Sequence, residues 1–157
     1  MTDDDRKLRR NLAIEAFNAT WDLIDKGAAR TADEDQRMEH LAHTSRCLWE
    51  LSGGAPANLA RGEWQIAWVY AQLGRGEDAR RFAERCLQRC EAGGEGFAPF
   101  DLPSALQALT AAAAVLGDTE ARDRHAAAAR DAAEALAPDD RAHIVSQIDE
   151  AVALAPR

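Results

Sequence analysis

A chain of 157 residues is the length of one ordinary domain, and 46% hydrophobic with 29% charged residues is the balance of a globular protein that can bury a core. Its net charge of −8 speaks against nucleic acid or an anionic membrane as partner, because both require a cationic face that displaces counterions. Three cysteines (Cys47, Cys86, Cys90) are an odd number at no disulfide-framework spacing, and the charged opening MTDDDRKLRR contains no apolar run of the kind that makes a signal peptide or a membrane span, so a cytoplasmic protein with reduced thiols is expected.

Helical periodicity runs through the chain and no stretch alternates as a half-buried strand does, which predicts an all-α fold of seven helices in a single domain, 1–157. The first helix, about 4 to 26, carries Ile14, Phe17, Trp21 and Ile24 at three- and four-residue spacing and stops at Gly27. The second opens with Thr31 and Glu34 at capping-box spacing, ends at Gly53-Gly54, and presents Met38, Leu41, Ala42, Ser45, Leu48 and Trp49 as a stripe. The third runs from about Pro56 to Leu73 with Gly74 as its stop. The fourth, about 77 to 92, places Ala79, Phe82, Ala83, Cys86, Leu87 and Cys90 on one face. Then comes the one real loop, AGGEGFAPFDLP, whose two Phe residues are expected to pin it to the body. The fifth helix starts near Asp101 to Pro103 and ends at Gly117, the sixth spans about 119 to 137 and stops before Pro138, and the seventh, about 139 to 155, carries Ile144, Ile148, Ala151, Val152 and Ala155 on one side.

Short connections force neighbouring helices antiparallel, so the first six read as three hairpins, about 4–54, 56–92 and 101–137, with 139–155 as a capping helix. In the middle hairpin Ala67, Tyr70, Gly74, Ala79, Ala83 and Leu87 form a pattern that resembles the tetratricopeptide repeat (TPR). Ala113, Leu116, Gly117, Ala121, His125 and Ala128 repeat it with a turn one residue shorter, and Thr20, Leu23 and Ala32 fit it loosely around Gly27. The two better-matching glycines lie 43 residues apart, beyond the standard repeat of about 34, and the Gly/Phe loop absorbs the excess. The segments HLAHTS, RGEWQ and VYAQLG also resemble a group of short bacterial proteins of unknown function. The TPR resemblance implies a right-handed superhelix of hairpins whose concave face holds a peptide.

On the third helix, Arg61, Trp64, Trp68, Ala71 and Gln72 lie about 100° from the face of Ala67 and Tyr70, so they cannot face the same neighbour. With Ile14, Phe17, Trp21 and Asp25 of the first helix they form, by the resemblance, the concave surface. Trp and Arg are the residue types that dominate binding hot spots, which makes Arg61, Trp64, Trp68, Gln72, Phe17 and Trp21 the candidate partner-binding set, with Arg61 suited to a carboxylate. The competing reading is that the same rings fill space between hairpins or against a second copy of the chain. The expected function is therefore a non-enzymatic interaction or scaffold module that binds a protein, a peptide segment or itself, without a cofactor.

A second reading rests on His40, His43 and Cys47, which project within about 60° of one another on the second helix and, with Glu50 or a neighbour as fourth ligand, have the chemistry for Zn²⁺ or a similar metal. The bland alternative for that face is polar surface or hydrogen bonding between hairpins. Cys86 and Cys90, one turn apart on an apolar stripe, read as small core residues before they read as a metal or redox pair. Arg80, Arg81, Arg85 and Arg89 read as a solvated face, and His143 likewise. There is no nucleophile elbow, P-loop or dinucleotide fingerprint, and no catalytic residue is expected.

Overall fold

Helix starts in this chain are written into its caps. Thr2 and Asp5 bond each other's backbone N–H groups at 3.1 and 2.9 Å, and Thr31 and Glu34 do the same at 3.2 and 3.0 Å, giving two capping boxes that open the first two helices. The computed structural model describes all 157 residues, and the chain is all-α. Its helices are α1 (Asp3–Asp25), α2 (Ala32–Leu51), α3 (Pro56–Gln72), α4 (Gly76–Ala92), α5 (Asp101–Leu116), α6 (Thr119–Ala133) and α7 (Pro138–Val152), with one turn of 3-10 helix at Gly27–Ala29. As expected, α1 packs on α2, α3 on α4 and α5 on α6; α4 also packs broadly on α5, and α7 lies on α5 and α6.

The α3–α4 and α5–α6 turns are built alike. Gly74 and Gly117 both have φ of +74°, and the next residue in each, Arg75 and Asp118, donates its backbone N–H five residues back, to Tyr70 (2.9 Å) and Ala113 (3.0 Å). Only glycine takes that left-handed conformation without strain, so these two positions mark the repeated hairpin in sequence and in space.

Between helices the contacts are made by small residues. Ala67, Ala83 and Ala108 meet where α3, α4 and α5 converge, Ala126, Ala129 and Ala133 face α7, and Ser45 donates to the carbonyl of Ala13 at 2.8 Å across the α1–α2 contact. Such thin side chains let helix axes approach closely, and α5 is buried almost all round from Ala105 to Val115. Larger groups gather in one cluster containing Met38, Ile66, Trp68, Val69 and Tyr70.

Three expectations shift. The buried stripe of α1 is Ala13, Ala16, Thr20 and Ile24, and Ile14 is 46% exposed, because α1 is an edge helix that faces α2 and touches α3 only slightly. Helices α6 and α7 end at Ala133 and Val152, short of the expected 137 and 155; a turn after Ala133 directs Leu136 inward against Ile144 and Ile148. In the Gly/Phe loop Phe97 packs beside Ala60 and Cys86, whereas Phe100 stays 37% exposed with the Arg61 guanidinium over its ring.

Gly62, in the middle of α3, faces α2 so closely that a Cβ there would lie 2.8 Å from Arg46 Cδ and 3.3 Å from Arg46 Cα. In an exposed helix, Gly→Ala stabilises by up to about 1 kcal/mol. Here the sign should reverse, since Arg46 Cα cannot retreat without parting α2 from α3. Gly62→Ala is expected to melt below wild type by circular dichroism; an equal or higher midpoint would mean that the interface yields.

Candidate functional site

The N-terminal half of α3 sends Arg61 and Trp64, three residues apart, toward α5. Arg61 grips Asp101 with two hydrogen bonds, Nε to Oδ1 at 2.9 Å and a terminal nitrogen to Oδ2 at 2.8 Å, and also donates to the carbonyl of Gly96 at 3.0 Å. Asp101 in turn accepts from the Ala98 backbone N–H at 2.8 Å, so one carboxylate ties the Gly/Phe loop, the start of α5 and α3 together. The Trp64 indole N–H donates to Gln107 of α5 at 2.9 Å, and Gln107 donates to the Gln147 carbonyl of α7 at 3.4 Å. On its other side the Trp64 ring lies 5.5 Å from that of Trp21, which meets Phe17 edge-on at 6.4 Å.

These side chains border a cavity of about 330 Å³. Phe17 and Trp64 form one side, Ile144 and Gln147 of α7 the other, and the thiols of Cys86 and Cys90 also open onto it. Of the residues proposed from sequence, Phe17, Arg61 and Trp64 therefore come together, and Trp21 stacks beside them. Trp68 does not: it is 4% exposed inside the main core cluster, against which Leu154 packs. Gln72, half-buried at the end of α3, lies outside the cavity as well. Beyond them, at the far ends of α3 and α5, Arg157 rests on Gly74 and Pro156 on Gly117. Arg61 already holds a carboxylate, that of Asp101, so an incoming one would have to displace it.

Sequence reasoning missed the α7 wall. Asp140, His143, Ile144 and Gln147 sit at i, i+3, i+4 and i+7, one face of a helix, and all four border the cavity. That spacing was the available signal; His143 is exposed, as its reading as a solvated residue expected, and with Asp140, also exposed, it stands where the cavity meets solvent.

The metal alternative does not assemble. His40 and Cys47 are exposed, while His43 turns toward α3 and donates from Nε2 to the Tyr70 hydroxyl at 2.8 Å, the Tyr70 proton being given to Glu39 at 3.0 Å. Burial lowers the His43 pKa, and burial with the Glu39 bond pushes Tyr70 up to about 12. Nowhere do three or more His, Cys, Asp or Glu side chains gather as metal ligands. The arginine row on α4 is only half a solvated face: Arg80 and Arg81 pair with Glu77 and Asp78, but Arg85 and Arg89 reach inward to Glu63, a fully buried carboxylate of α3 that also meets Arg46 of α2.

The chain matches no family model, no curated protein and no solved structure. No helix is long and apolar enough to cross a membrane. What the cavity offers chemically is apolar and aromatic surface, one neutralised ion pair, two thiols, and at the α7 side the Asp140 carboxylate and the His143 imidazole. Its one serine, Ser104, gives its proton to the Phe100 carbonyl one turn back at 2.8 Å, and no imidazole is hydrogen-bonded to it as a general base would be.

Proposed function

We propose that the protein is a non-enzymatic, cytoplasmic interaction module of TPR-like hairpins that seats one apolar side chain of a protein or peptide partner in the cavity between α1, α3, α5 and α7. The observation that carries this reading is the cavity itself: about 330 Å³, walled by Phe17, Trp64 and Ile144, and open to solvent beside an exposed Phe100. Ligand cavities run from about 300 to 1,000 Å³. At the small end of that range the space suits an anchor residue better than a cofactor. Trp64 is held rigid by Gln107 and Trp21, and rigid aromatic walls of this kind are where truncation costs most binding energy.

Peptides selected from a random displayed library on the wild-type protein should share a large apolar residue. They should bind Trp64→Ala more weakly by roughly thirtyfold, the effect of losing about 2 kcal/mol at a hot spot. Circular dichroism of the variant should show its helices intact. A library that yields no binders, or binders that retain full affinity for Trp64→Ala, would overturn the reading.

A further inference from the structure

The cavity does not end at Phe17. A second hollow of about 140 Å³ adjoins it, lined by Ile14, Phe17, Trp49, Asn58, Arg61 and Gly62, so that Phe17 and Arg61 border both. The two make one groove that crosses α3 from α7 to the α1–α2 hairpin, with the Phe17 ring and the Arg61 side chain as a ridge between its halves. Ile14 is 46% exposed beside the smaller half, a large aliphatic side chain left in water where a second apolar group would cover it. Asn58 commits its side-chain oxygen to the Ala55 backbone N–H at 3.1 Å, which leaves its NH2 group at this hollow as a donor without a partner.

Charge is uneven along the groove. On the ridge Arg61 and Asp101 cancel each other. At the α7 end Asp140 is exposed and forms no ion pair, because the adjacent Arg141 reaches back to Glu134 and to the Leu136 carbonyl instead. Asp139 beside it is likewise exposed and unpaired. In a chain of net charge −8, the field at that mouth favours a cation.

We propose that the groove holds an extended, basic peptide segment, with a large apolar side chain in the main cavity, a smaller one two residues away in the hollow beside Ile14, and a Lys or Arg against Asp140. The inference rests on the partner-binding reading and adds to it a second anchor and a charge. Side chains at i and i+2 of an extended chain lie on one side about 7 Å apart, the step from one hollow to the next across a single ring. A helical segment has its carbonyls bonded internally, whereas an extended one offers a carbonyl to the Asn58 NH2 group. The smaller hollow suits a Val or Leu and the larger one a ring. The contact at Asp140 is at the rim, so it governs charge preference and salt dependence more than total affinity.

Peptides selected from a random displayed library should carry a large and a smaller apolar residue at alternate positions, with Lys or Arg flanking the large one and few acidic residues. One such peptide, synthesised, should bind Ile14→Asp roughly tenfold more weakly than wild type. It should bind Asp140→Lys roughly fivefold more weakly at low salt, a difference that shrinks as salt is raised. Replacing the smaller apolar residue of the peptide by Ala should abolish the difference between Ile14→Asp and wild type, a coupling that a merely structural effect would not produce. Both positions are exposed, and circular dichroism should find both variants folded as wild type. Acidic peptides, a single shared apolar position, or wild-type affinity in either variant would overturn the inference. Binders weakened by Trp64→Ala but not by Ile14→Asp would keep the single-anchor reading and remove this one; binders indifferent to Trp64→Ala, or none at all, would remove both.

Discussion

Glu63→Ala is expected to lower unfolding free energy by about 3–5 kcal/mol, the range for removing one partner of a buried ion pair. Glu63 has no exposed surface, and its carboxylate accepts from Arg46 at 3.2 Å, Arg85 at 3.3 Å and Arg89 at 2.7 Å. One side chain of α3 thus neutralises cations from α2 and α4, joining two hairpins across the place where Gly62 brings α2 and α3 together. The Arg46 side chain is itself only 11% exposed and keeps just Glu50, at the surface, if Glu63 goes. In a domain of this size each kcal/mol moves the melting midpoint by about 2–4 °C, so a fall of roughly 6 to 20 °C should appear in a thermal melt. Glu63→Gln, which keeps the shape and removes the charge, should suffer most of the same loss. Wild-type stability in the Gln variant would show that volume, not charge, is what position 63 supplies.

Trp68→Ala should cost a similar amount, about 3–5 kcal/mol, because a nearly fully buried indole is replaced by a void that rigid helices cannot collapse around. Trp64→Ala, one turn earlier, should cost clearly less: its ring is half-buried, borders open space, and gives up one hydrogen bond, to Gln107. The two midpoints measured side by side under one denaturant gradient decide the matter. If Trp64→Ala loses as much as Trp68→Ala, Trp64 is a core residue and the cavity loses its wall.

The contrast between those two tryptophans also shows how far residue patterns could be followed. Helix number, the Thr31–Glu34 cap, the Gly74 and Gly117 turns and the stripes of α2 and α4 depend on local geometry, and a linear chain displays local geometry directly. Trp64 and Trp68 share a helical face, and that face alone gives no means of separating them. What separates them is which neighbours the fold brings to each: Trp68 lies within the main core cluster, whereas Trp64 borders the cavity. Likewise Arg61 looked free because Asp101, its partner, is 40 residues away. His43 resembled a metal ligand because the Tyr70 hydroxyl that occupies it belongs to another helix. Glu63 gave no hint at all, since a carboxylate among Gly, Trp and Gln reads as solvent-facing until three guanidinium groups are folded onto it.

Every helix here touches the one before or after it in the chain, with the contacts of α5 to α3 and α7, and the slight one of α1 to α3, as the longer-range ties between helices. Little loop entropy must be lost before each contact forms, so the polypeptide should fold quickly for its length, and an early hairpin can nucleate anywhere and grow by addition of its neighbour. During synthesis the first two hairpins can be in place while α7 is still unmade, with the hollow beside Trp64 lacking its far side until α7 docks.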